Sequence, residues 1–183
     1  MEPPVVPSDR LDGWRCVEVT TDRPFTAGPV SITAGTARYE QTDVPNPRPF
    51  FFASRLRIRP ATAPNRALTH LIKRQARSGF CNRLGDRNIE VIERRDDREI
   101  SIDDPDASRA TLSTFRGVCH PTDDSAETVP VEAMLAIWEA GEYLLCGGAY
   151  PLSDGAAAAD AGRRELLGLL RGVRPPPHRD DDA

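Results

Sequence analysis

The chain has 183 residues, of which 39% are hydrophobic and 28% charged, so it can fold as one domain with a real core. Its formal net charge of −4 argues against general nucleic-acid binding, where a strongly basic face is needed. No apolar run approaches the roughly 20 residues of a membrane-spanning helix, and Met1-Glu2-Pro3-Pro4-Val5-Val6-Pro7 lacks the basic start and apolar core of a signal peptide.

Residues 1–10 carry three prolines and little apolar content, and 174–183 end in a polyproline run and an acidic tail. Both ends read as disordered, because neither buries enough surface to offset its ordering entropy. The folded body is then 11–173. Trp14–Thr20 alternates polar and apolar residues and predicts a first strand. Val30–Ala34 and Thr36–Glu40 predict two strands bent at Gly35. Pro45, Pro47 and Pro49 break the chain before Phe50–Pro60, a strand studded with arginines. Pro64 fits the first turn of a helix over 64–78, with Gly79 as its stop. Leu68, Leu71, Ile72, Gln75 and Ala76 share one face of that helix.

Asn88–Glu93 and Glu99–Asp103 read as a hairpin turned at Arg94–Arg98. Arg109–Val118 predicts a longer strand, and 120–127 a polar loop. Val129–Glu139 and Glu142–Ala149 form a second hairpin through Ala140-Gly141. A last helix spans about 156–171, with Leu166, Leu169, Leu170 and Val173 as its apolar stripe. The fold class is therefore α+β: an antiparallel sheet flanked by two amphipathic helices, each covering one face.

Few residues point to chemistry. Arg55, Arg57 and Arg59 alternate along one strand and so project from one sheet face. Three guanidinium forks about 6–7 Å apart could grip phosphate, carboxylate or an acidic partner. A solvated ladder of ion pairs is the structural alternative. Cys119 and His120 are adjacent, but neighbours on a strand point to opposite faces, which disfavours a nucleophile pair. Cys16, Cys81, Cys119 and Cys146 form no CxxC pair and read as reduced, mostly buried thiols. The three histidines are too dispersed for a metal site, and Asp103-Asp104-Pro105-Asp106 and Asp123-Asp124 lack calcium-loop spacing. Gly147-Gly148 follows a strand without a phosphate-loop motif, so close packing on the last helix is the simpler reading. Trp14 and Trp138 read as packing residues. No catalytic, cofactor or metal residue is assigned. Lys73 is the single lysine against 23 arginines, which suggests a GC-rich or salt-adapted source.

The order of elements resembles the PsbP-like α/β/α sandwich over about 14–173. Three features carry the resemblance: Phe52–Pro60 leading into Pro64–Gly79, the hairpin Val131–Ala149 ending in Gly147-Gly148-Ala149-Tyr150-Pro151, and the closing helix through Leu166–Val173. Similar proteins include photosystem accessory subunits, nuclear-transport cofactors and bacterial proteins of unassigned role. The resemblance implies a non-enzymatic protein that binds a partner protein or a small ligand, and carries over no functional residue. The expectation is thus a soluble cytoplasmic binding protein, with an unknown protein or a small anionic ligand as partner. An enzyme or ligand carrier with an anion-binding cleft near the arginine strand is the alternative.

Overall fold

The computed structural model describes residues 1–27, 30–60, 66–107, 109–121, 127–152 and 155–177. Its centre is one eight-stranded antiparallel sheet. The strands are β1 (Trp14–Ala27), β2 (Val30–Gln41), β3 (Phe50–Arg59), β4 (Ile89–Arg94), β5 (Arg98–Ile100), β6 (Ala110–Cys119), β7 (Val129–Glu139) and β8 (Tyr143–Pro151). Their spatial order is β1-β2-β3-β8-β7-β6-β4, with β5 also on β6. Helix α1 (Arg66–Gly85) connects β3 to β4, and α2 (Ala156–Gly172) follows β8.

Alternation along the strands sorts the core into two layers. Phe50, Phe52 and Leu56 join Val131, Ala133, Leu135 and Ile137 on one face, where Ile72, Phe80 and Leu84 of α1 cover them. Phe51 and Ala53 join Met134, Ala136, Trp138 and Leu144 on the other, under Leu166, Leu169 and Leu170 of α2. The helices therefore lie on opposite faces of one sheet, as the two apolar stripes imply.

Four details differ from the sequence reading. Gly79 does not stop α1, which continues to Gly85. A helical glycine costs about 1 kcal/mol against alanine. Burying Phe80 and Leu84, 2% and 0% exposed, outweighs that at roughly 1.5–3 kcal/mol per side chain. Pro64, the expected helix start, lies outside the described residues.

Gly35 is not a bend. β2 runs unbroken through it, and its missing Cβ leaves room for the chain start: a Cβ there would stand 2.6 Å from the Met1 carbonyl oxygen. β4 and β5 do not form a hairpin with each other. Both pair with β6 in succession, β4 along Phe115–Cys119 and β5 along Ala110–Leu112, as one interrupted edge strand.

The ends also differ. Val5 and Arg174 exchange two backbone hydrogen bonds of 2.9 and 3.0 Å, Pro4 is buried, and Val6 sits in the core on the α2 face. Arg10, in a short 3-10 turn at Ser8–Arg10, donates to the Gly168 carbonyl and to Asp103. Prolines have little backbone freedom to lose, so this segment orders at lower cost than its composition suggests. Pro176 is buried as well, while the acidic tail lies outside the described residues.

Candidate functional site

The arginines of β3 do share a face. Arg55, Arg57 and Arg59 alternate with Leu56 and Ile58 and lie on the α2 side with Phe51 and Ala53. Their surroundings differ. The Nε of Arg55 stands 2.5 Å from Glu142 Oε1, and both side chains are half-buried. Arg57 and Arg59 are exposed. One of the three forks is thus already engaged within the chain.

Cys119 and His120 go to separate partners. The Cys119 thiol is buried with the α1-side core, donates to the Arg87 carbonyl at 3.8 Å, and has its pKa raised by burial. His120 Nε2 lies 3.2 Å from Glu90 Oε2. A nucleophilic thiol needs the opposite shift, toward the thiolate.

The remaining motifs have structural partners. Asp103 pairs with Arg10, and Asp104 accepts from the backbone N–H of Asp106. Asp123 and Asp124 lie outside the described residues. A Cβ on Gly148 would fall 2.2 Å from the Phe50 carbonyl oxygen and 2.9 Å from Leu166 Cδ1, so its smallness lets β3 and α2 close on β8. The Trp14 indole donates to Glu165 on α2 at 2.7 Å. All four cysteines are free: Cys119 and Cys146 buried, Cys81 half-buried and Cys16 exposed. Among the described residues no three His, Cys, Asp or Glu side chains gather as a metal would require. Among the described residues no helix is long and apolar enough to cross a membrane.

The feature best suited to hold a molecule lies on the opposite side of the arginine strand. α1 packs against β4 and β7, while the sheet continues past it through β8, β3 and β2. The uncovered wedge is a cleft of about 280 Å³. Ile32, Leu56, Ile72, Leu145, Phe52 and Phe80 make its walls apolar, and β1 borders it with Asp22 and Pro24. Thr36 and Ser54 also line it; their hydroxyls lie 2.7 Å apart in one buried hydrogen bond.

Arg83 is the cation of this cleft. It lies on the last turns of α1, three residues after Phe80, and its guanidinium stands 5.1 Å from the centre of the Phe52 ring. Its Nη1 is buried and has no hydrogen-bond partner among the described residues. Burial lowers its pKa, and the charge of Arg38 adds to the effect, against the pull of Asp22, Glu18 and Asp86. An arginine stays protonated through such a shift, so a desolvated cation is left with an idle donor. Arg38 and Arg87 nearby differ: Glu18 holds Arg38 at 2.8 Å, and Glu40 holds Arg87 at 2.5 Å.

Sequence reading missed Arg83 because it ended the helix at Gly79. It missed Thr36 and Ser54 because isolated hydroxyls in apolar strands are common. The available signal was Phe52-x-Ser54-x-Leu56, a polar residue inside an apolar strand face.

A family model described as Domain of unknown function (DUF6517) matches residues 3–174. No curated protein and no solved structure matches the chain.

Proposed function

We propose that this chain, which belongs to the DUF6517 family, is a non-enzymatic protein that binds a small molecule in the cleft between α1 and the β2–β3 part of the sheet. The observation that carries this reading is the cleft itself: about 280 Å³ of space beside the core, apolar on its walls and polar at a few points. Binding sites for small ligands combine these properties. By comparison, a dry cavity of about 150 Å³ is enough to admit benzene.

The non-enzymatic part rests on chemistry. Catalysis by a nucleophile or a general acid–base pair needs side chains within reach of each other and with suitably tuned pKa values. Thr36 and Ser54 satisfy each other, and among the described residues no histidine or cysteine lines the cleft.

The test is saturation-transfer NMR on a library of small aromatic and aliphatic fragments. Wild type should give transfer signals. Ala76→Phe, which fills the cleft from α1, should lose them while keeping its far-UV circular dichroism. Signals that survive Ala76→Phe unchanged would move binding elsewhere and end this reading.

A further inference from the structure

The cleft's one idle charge indicates what kind of molecule it takes. Arg83 Nη1 is buried without a hydrogen-bond partner, and the guanidinium has no carboxylate within ion-pair distance among the described residues. A buried charge left unpaired is costly, and a charged donor without an acceptor costs more than a neutral one. Other half-buried arginines of the protein have a carboxylate at hand: Arg77 has Asp97, Arg87 has Glu40, and Arg55, whose Nε likewise lacks a hydrogen bond among the described residues, still has Glu142 as an ion-pair partner. Among the described residues, Arg83 has the Phe52 ring beneath its guanidinium and no carboxylate partner.

Arg83 also lines a second, smaller depression of about 240 Å³, shared with Arg38, Phe50, Asp86 and Arg87. It therefore stands where the apolar cleft meets an arginine-rich surface. At the β1 border of the cleft the charged lining residue among those described is Asp22, whose carboxylate accepts from the Thr20 hydroxyl at 3.0 Å. An anionic group entering the cleft is repelled by Asp22 and drawn to Arg83. The rest of the molecule then lies against Ile32, Leu56, Ile72 and Leu145.

On the reading that the cleft binds a small molecule, we infer that its ligand is an amphipathic monocarboxylate, with the carboxylate on Arg83 and an aliphatic or aryl body along the apolar wall between α1 and β2–β3. Its size is on the order of ten non-hydrogen atoms, judged from the cleft volume against a benzene-sized cavity. A carboxylate matches one guanidinium through paired hydrogen bonds. A phosphate dianion would need further cations, and Arg38 and Arg87 are already held by Glu18 and Glu40.

The experiment is calorimetric titration of the full chain with sodium octanoate, 1-octanol and inorganic phosphate, repeated on Arg83→Gln and Ala76→Phe. Octanoate should bind wild type about ten- to hundred-fold more tightly than octanol, the range for a hydrogen bond to a charged group. Arg83→Gln should remove that preference while octanol binding stays put, and Ala76→Phe should weaken both. Equal binding of octanol and octanoate, unaffected by Arg83→Gln, overturns the carboxylate assignment and leaves the cleft reading standing. Phosphate binding as tightly as octanoate overturns it in favour of a bare anion site. Absence of binding by all three probes overturns it too, and the cleft reading then depends on the fragment signals and their response to Ala76→Phe.

Discussion

Two carboxylates, one buried on the sheet and one exposed beside it, illustrate how single residues here are satisfied. Glu132, 2% exposed, lies beneath α2 and accepts a hydrogen bond of 2.5 Å from the Tyr150 hydroxyl, with Arg163 and Arg116 at 3.8 and 3.9 Å. Burial, and then the bond to Glu132, push the Tyr150 phenol pKa up, so it remains a donor. On the other face Asp97 accepts from Ser113 at 2.6 Å and from Arg94 at 2.9 Å, and pairs with Arg77. Burial works against the Asp97 carboxylate, but Ser113, Arg94 and Arg77 together hold its pKa below the ordinary 3.8. The unfolded chain therefore takes up the proton first as pH falls. The stability Asp97 contributes is complete above its ordinary value and is lost as pH drops through the lower folded value. Urea midpoints should fall from pH 6 to pH 3 in wild type, and less steeply in Asp97→Asn. Equal slopes in the two proteins would remove Asp97 from the acid response. Neither network was legible in the sequence, because each joins residues from separate elements. The same holds for Arg83, which pattern reading passes over as one arginine among 23.

Elements with strong periodicity were the legible ones. β3, β6, β7, β8 and α2 fall within a residue or two of the sequence reading, because alternation or a four-residue repeat runs through each. Two local signals misled. Gly79 looked like a stop, yet Leu68, Ile72, Ala76, Phe80 and Leu84 recur every fourth residue straight across it, and all pack in the α1-side core. The charged run Arg94–Arg98 looked like a hairpin turn, but Asp97 is tied back to Arg77 and Ser113, so the chain continues along β6. Packing decided against local propensity in both cases. Truncation on α1 measures this directly. Leu84→Ala, beyond the apparent stop, should cost about 2–5 kcal/mol of unfolding free energy, as for a fully buried leucine. Leu71→Ala, only half-buried, should cost less. Guanidinium denaturation of both variants checks the order, and a near-zero cost for Leu84→Ala would mean that α1 frays after Gly79.

At the scale of the whole molecule the question is whether two cores divided by one sheet behave as one. Every side chain on β3, β7 and β8 is attached to a backbone that serves both layers. Loosening one face therefore removes support from the strands of the other, and a single cooperative transition follows. The cysteines provide reporters at known depths. Cys16 is exposed on the β1 edge and should react with a thiol reagent in the native state. Cys146 is 0% exposed, its thiol donating to the Leu170 carbonyl at 3.8 Å beneath α2, and burial raises its pKa well above that of a free thiol. It can react only through opening. Leu135 lies on the far side of the sheet, packed in the α1 layer. Leu135→Ala should destabilise by about 2–5 kcal/mol. If α2 is released only by global unfolding, Cys146 should then label faster by the full factor, about 30-fold to several thousand-fold. If α2 opens as a unit of its own, the Cys146 rate stays at the wild-type value while the denaturation midpoint falls. The contacts favour the first outcome: Met134 and Leu135 are neighbours on β7, each 0% exposed, one in each layer, so α2 has no strand on β7 or β8 that α1 does not also help to hold.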